Sequence, residues 1–211
     1  VAYGSNCYRI CNEPTAKDYK TVNVRHIIIS VPGYENFVKT RNIGPGVNTL
    51  DVAVLELVSD VPSSPANRFP CLPKADEKFS DPKITVYGGG VGTAQNRPAG
   101  LMQYYVIDTS QGGHVERNPV YWNYWTLTFD KDEPDLPFGG KGDSGAPILR
   151  LSDQGRHTIF AIVHSDSVPK SGEQGPTIHL ARAVPADMFT PFVCRVSGVC
   201  PDGYLQYDKT K

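Results

Sequence analysis

A serine hydroxyl is a poor nucleophile at neutral pH. To attack a carbonyl it needs a base to take its proton and backbone N–H groups to hold the oxyanion. One segment of this sequence, Gly139-Gly140-Lys141-Gly142-Asp143-Ser144-Gly145-Ala146-Pro147, has residue types suited to holding an oxyanion. Glycines flanking the Asp-Ser pair let the main chain turn tightly around the hydroxyl and aim N–H groups inward. Taken alone, Gly-Asp-Ser-Gly also reads as an ordinary turn between strands, because turns favour these residues. A nucleophile elbow of the α/β-hydrolase kind wants glycine two residues after the serine, and position 146 is alanine.

A triad also needs a carboxylate to orient the base. Asp51 heads the apolar run Leu50-Asp51-Val52-Ala53-Val54-Leu55-Glu56-Leu57 and is the candidate. The base itself is harder to place. The histidines are His26, His114, His157, His164 and His179. Only His26 precedes Asp51, and it sits inside an apolar run that reads as a strand. A lone histidine is more often packed or solvated than catalytic.

The elements that must position these residues read as strands. Candidate strands are Val22 to Val31, Leu50 to Val58, Lys83 to Tyr87, Leu101 to Asp108, Tyr121 to Phe129, Ala146 to Leu151, Thr158 to His164 and Pro176 to Val184. The 18 prolines and 20 glycines fall mostly between them, where turns belong. The one helical stretch is Pro185 to Val196. Long loops are expected at Pro62 to Asp81, Gln111 to Asn118 and Asp130 to Asp143. The pattern predicts an all-β sandwich or barrel with a short C-terminal helix.

The 211 residues suit one domain, and a hydrophobic fraction of 39% can fill its core. A formal net charge of −1 with no dense basic run argues against nucleic acid or an anionic membrane as partner. No apolar stretch has the length of a membrane-spanning helix. The start Val1-Ala2-Tyr3-Gly4 has neither the basic nor the apolar part of a signal peptide and no Met. It predicts a processed or truncated chain. Of Cys7, Cys11, Cys71, Cys194 and Cys200, the close pairs Cys7/Cys11 and Cys194/Cys200 read as local disulfides. That leaves one cysteine over, which in an oxidised, secreted protein suggests a partner outside this chain or a free thiol. No cluster of acids, histidines and cysteines suggests a metal, and the glycine run Gly88 to Gly92 lacks the ending of a phosphate loop. Neither a metal nor a cofactor is expected.

Several segments resemble, in order, the landmarks of the trypsin-like serine peptidase family. They are Val24-Arg25-His26-Ile27-Ile28-Ile29-Ser30-Val31-Pro32-Gly33-Tyr34, the Asp51 run, Phe69-Pro70-Cys71-Leu72-Pro73, Val86-Tyr87-Gly88-Gly89-Gly90, the Ser144 segment, and Ile162-Val163-His164-Ser165-Asp166. The likeness spans roughly Val22 to Phe192. It implies two six-stranded Greek-key barrels, with residues 1–80 the remainder of an incomplete first barrel and residues 81–211 the second barrel with the helix and tail.

The resemblance also implies a serine endopeptidase acting on protein or peptide substrates and open to protease inhibitors. Ser144 would be the nucleophile and Asp51 the orienting carboxylate. The N–H groups of Gly142 and Ser144 would form the oxyanion hole. Asp143 would be the buried carboxylate that pairs with a freed N-terminus in the family, and Val1 does not begin such a terminus. Phe138, His164, Asp166 and Thr177 would line the primary pocket. Phe138 stands where trypsin-like enzymes have Asp, and Gly140 where they have a pocket cysteine. The family's Ala-Ala-His-Cys segment does not occur, so the catalytic histidine is expected upstream of Val1. The alternative is an inactive, protease-like binding protein.

Overall fold

The computed structural model describes residues 2–3, 20–29, 52–62, 69–88, 103–111, 113–117, 125–130, 143–167 and 178–204. The described elements are strands, one 3-10 turn and one helix, so the described part of the chain is all-β with a short helix near its C-terminus.

Two small ladders come first. The strands β1 (Ala2–Tyr3) and β2 (Lys20–Thr21) pair antiparallel. So do β3 (Val24–Ile29) and β4 (Ala53–Leu57), whose register jumps between Val24 and His26. Of the expected first barrel, residues 1, 4–19, 30–51 and 63–68 lie outside the described residues.

The main sheet is built from β5 (Lys83–Gly88), β6 (Gln103–Asp108), β7 (Gly113–Arg117), β8 (Trp125–Asp130), β9 (Pro147–Leu151), β10 (His157–Ser167) and β11 (Ile178–Pro185). Its order is β6-β5-β9-β10-β11-β8-β7, and every pairing between these strands is antiparallel. Where the sequence leads one to expect a closed six-stranded barrel, seven strands form a sheet with two edges. The added strand, β7, lies in the stretch read as a loop. Its polar Gly-His-Val-Glu-Arg sequence lacks the apolar alternation that marks a half-buried strand.

This sheet is rolled. Asp108 pairs with Lys83, and through β9 that end lies level with His157 on β10. At the other edge Gly113 pairs with Phe129, which pairs with His179, one step past the Leu180–Ser167 pair on β10. With ordinary strand spacing and rise, a flat sheet would hold Asp108 and Gly113 roughly 40 Å apart. The chain between them can span only about 18 Å. The sheet must curl, with a strong stagger, until the ends of β6 and β7 come within reach of that short link.

Alternation on the strands fills the inside of the roll. Ile84 and Val86 of β5, Ile107 of β6, Ile148 of β9, Phe160, Ala161 and Val163 of β10, and Ala183 of β11 form one buried cluster, with Phe79 and Ala146 packed against it. A second cluster joins Val184 to Ala186 and Phe189 of the helix α1 (Ala186–Ser197). Val52, the residue beside Asp51, packs on this cluster together with Leu72 and Ile162. The β4 end of the chain is thereby held against the main sheet.

The helix matches the expected Pro185 to Val196 within one residue. Pro185 precedes it in extended backbone, Asp187 sits in its first turn, and Gly198 closes it in the left-handed region with its N–H on the Cys194 carbonyl. Pro191 interrupts its hydrogen-bond ladder, and buried Thr190 donates its hydroxyl to the Ala186 carbonyl at 2.7 Å. Cys194 and Cys200 form the disulfide read from their spacing. Cys71 is a free, exposed thiol, while Cys7 and Cys11 lie outside the described residues. Among the described residues no helix is long and apolar enough to cross a membrane.

Candidate functional site

Ser144 stands on the turn that leads into β9. The Ala146 N–H bonds the Asp143 carbonyl at 3.0 Å, which closes a four-residue turn. Gly145 at the third position has φ 85°, the conformation that such turns reserve for glycine. No atom crowds the place of a Cβ there, so backbone conformation alone demands the glycine. The turn is sewn to β10 by two more bonds, Gly145 N–H to the Val163 carbonyl (2.7 Å) and Val163 N–H to the Ala146 carbonyl (2.9 Å).

The two residues at the centre of the Gly-Asp-Ser-Gly segment face opposite environments. Ser144 is exposed, whereas Asp143 is 2% exposed. The Asp143 carboxylate packs on Gly88 at the end of β5. A Cβ added to Gly88 would come within 2.9 Å of Asp143 Cγ and closer still to Oδ1. Glycine at 88 is therefore a matter of space, whereas glycine at 145 is a matter of conformation.

The Ser144 hydroxyl donates to the main-chain carbonyl of His164 at 3.1 Å. His164 is placed for this by a β-bulge. Val163 pairs with Ala183 and Ser165 with Arg182, so His164 is the extra residue between them. Bulges turn a backbone group out of the ladder and recur beside functional sites. An amide carbonyl can orient the hydroxyl but cannot act as its base.

The other expected site residues are placed unevenly. Asp51, Phe138, Gly142 and Thr177 lie outside the described residues. Asp166 lies on β10, paired with Ala181. His164 is half-buried and meets Ser144 through its carbonyl. His26 does not read as a base for Ser144. Its Nδ1 lies 2.8 Å from Glu56 Oε2 on the β3–β4 ladder. With this imidazole as the largest cause, the Glu56 carboxyl is held below its ordinary range. Among the described residues no group of acids, histidines and cysteines could hold a metal ion.

Sequence reading missed a second polar assembly behind β10. The segment after Cys71 is bridged to that strand by Cys71 N–H to the His157 carbonyl (2.8 Å) and Ile159 N–H to the Cys71 carbonyl (2.9 Å). Arg156 reaches across to Glu77 Oε2 (3.0 Å) and to the Leu72 carbonyl (3.1 Å). Glu77 and Arg156 are too far apart in sequence for any local pattern to have shown the pair.

No protein-family model matches this sequence, and no curated protein matches it.

Proposed function

We propose that this chain is part of a secreted, trypsin-like serine endopeptidase, with Ser144 as nucleophile. The observation that supports it most is the Ser144 turn itself: an exposed hydroxyl, a buried carboxylate one residue before it, and a glycine of positive φ one residue after it. In this reading the seven-stranded sheet of β5 to β11 takes the place of the second of two Greek-key barrels. Asp51 orients an imidazole that is none of the described histidine rings.

The chemistry combines the chain's own Ser144, Gly142 and Asp51 with that imidazole. As Ser144 Oγ bonds to the scissile carbonyl carbon, its proton passes to the imidazole. The N–H groups of Gly142 and Ser144 hold the oxyanion, and the imidazole then returns the proton to the leaving amine. Phe138, His164, Asp166 and Thr177 border the pocket for the residue before the cut. Loss of the imidazole would lower turnover about a millionfold.

The bond from Ser144 to the His164 carbonyl favours a second reading, a protease-like binding protein without turnover. A fluorophosphonate probe separates the two. Labelling that maps to Ser144 and disappears in Ser144→Ala supports the peptidase. A folded protein whose Ser144 takes up no probe and which cleaves no peptide overturns it in favour of the binding protein.

A further inference from the structure

Behind β10, a cleft of about 230 Å³ opens between the segment after Cys71, the start of α1 and the residues that follow the disulfide. It lies where the two buried clusters stop short of each other. Among its lining residues, Phe79 and Phe160 belong to the first cluster, and Ile159 and Ala186 to the second. A second β-bulge shapes it. Ile159 pairs with Leu149 and Ala161 with Ile148, so Phe160 is the extra residue. Consecutive side chains on a regular strand point to opposite faces, and a bulge breaks that alternation. Ile159 and Phe160 therefore both line the cleft.

The walls are held apart and do not fall in to fill the space. Phe79 meets Phe160 edge to face, with ring centroids 5.6 Å apart. The Arg150 guanidinium lies over both rings, at 5.6 and 5.3 Å, and is itself tied through Nε and Nη2 to the Asp81 carbonyl. Ala75, also in the lining, donates its N–H to the Asp202 carbonyl at 3.1 Å, and a Cβ on Gly203 would come within 2.6 Å of the Ala75 Cβ. Those two segments already touch and can draw no closer. Apolar surface beside an unfilled space forfeits packing contacts. A rigid apolar cavity of about 150 Å³ is enough to take up a benzene ring.

The charged groups of the lining are already engaged. The Lys74 ammonium lies 2.9 Å from Asp202. The Glu77 side chain is buried, and its Oε2 accepts from the Lys74 N–H at 2.9 Å and from Arg156 at 3.0 Å. Asp187, on the first turn of α1, has an interaction of its own. A charged ligand would give up water here without gaining a counter-charge, which is unfavourable. The cleft thus matches a ligand in charge as well as in size: an uncharged one.

We propose that this cleft binds a small uncharged molecule built on a single aromatic ring, with the ring against Phe79, Ile159 and Phe160. The volume sets one ring, and the paired charges set neutrality. The phenylalanine rings favour an aromatic ligand through offset or edge-to-face contacts. This site is independent of Ser144 and of the peptidase reading.

The test is titration of the whole chain with toluene, benzylammonium and benzoate, followed by amide shifts in two-dimensional NMR. Toluene is expected to shift the amides of Ala75, Phe160 and Tyr204 with saturation. Both charged probes should bind at least about tenfold more weakly. Ala186→Leu carries a larger side chain into the space, so toluene should bind at least about tenfold more weakly to the folded variant. Should Ala186→Leu fail to fold, Tyr204→Ala decides. It removes a half-buried side chain from the lining, and toluene binding should fall at least about fivefold. Absence of saturable shifts at these amides, equal binding of either charged probe, or unchanged affinity in the folded variants would overturn the proposal.

Discussion

Gly88→Ala should test how tightly the serine turn is locked to the sheet. Gly88 lies in β5 and pairs with Gln103. In a strand with room for a methyl group, Gly→Ala is expected to stabilise by about 0.4–1 kcal/mol, through the entropy of the unfolded chain. Here the methyl carbon would come within 2.9 Å of Asp143 Cγ, well inside van der Waals contact, and Asp143 is 2% exposed with little space to yield. Overpacking of this kind is unfavourable by about 1–3 kcal/mol. We expect a net loss near 2 kcal/mol, and with an ordinary urea dependence of about 2 kcal/mol per molar the midpoint should fall by about 1 M. Asp143→Ala removes the clash. In that background Gly88→Ala should be neutral or stabilising, and the double-mutant cycle should return a coupling near 2 kcal/mol. A Gly88→Ala midpoint equal to or above that of the parent, with Asp143 intact, would refute this account of the turn.

Other perturbations have equally definite outcomes. Arg156→Met leaves the Glu77 carboxylate buried without its cation, and because Arg156 is itself a quarter exposed the loss should sit near the low end for broken buried pairs, about 3 kcal/mol by urea unfolding. A loss below about 1 kcal/mol would show that water replaces the guanidinium freely. Cys200→Ser opens the short Cys194–Cys200 loop, and chain entropy alone predicts a loss of about 2 kcal/mol, read from the thermal midpoint. Asp153 accepts from the Ser80 N–H and from its hydroxyl, and these bonds, with lesser help from Lys78 and Arg150, hold its carboxyl below the ordinary aspartate range against the opposing effect of burial. A lowered folded-state pKa stabilises above the unfolded range and is lost as pH falls through the folded value. Asp153→Asn should therefore reduce the drop in urea midpoint between neutral pH and about pH 2, and an unchanged drop would show that the Ser80 contacts contribute nothing to it.

Much of the sheet could be read from the sequence because its strands carry their own signal. β5 alternates buried and less buried residues, β9 buries Ile148 alone, and the β-branched residues Ile84, Val86 and Ile148 mark these positions. The helix was legible from its amphipathic pattern and its closing Gly198, even with Pro191 inside it. β7 was not, because a strand paired on one side only need not be apolar to form. Neither were the β-bulges. The extra residue at His164 leaves no trace in composition, yet it brings the carbonyl to the Ser144 hydroxyl.

The serine turn was legible because its glycine is dictated locally, by the positive φ at Gly145. The cleft behind β10 was not, since Glu77, Arg156, Asp187 and Tyr204 meet only once distant segments pack. Of the remaining expected site residues, Asp51, Phe138, Gly142 and Thr177 fall outside the described structure.

The order of strands bears on when the serine turn can first exist. β5 and β6 are joined in the sheet as neighbours along the chain, as are β7 and β8, β9 and β10, and β10 and β11. Each such pair can zip from its own connection. The Val86–Ile148 pairing of β5 with β9 must instead wait for a long stretch of chain to close on itself, as must the pairing of β8 with β11. Such closures are slow steps in all-β proteins. Asp143 meets Gly88 only after β9 has docked on β5, so the environment of Ser144 is completed among the last events of folding. A chain with every hairpin formed could still lack a finished serine turn.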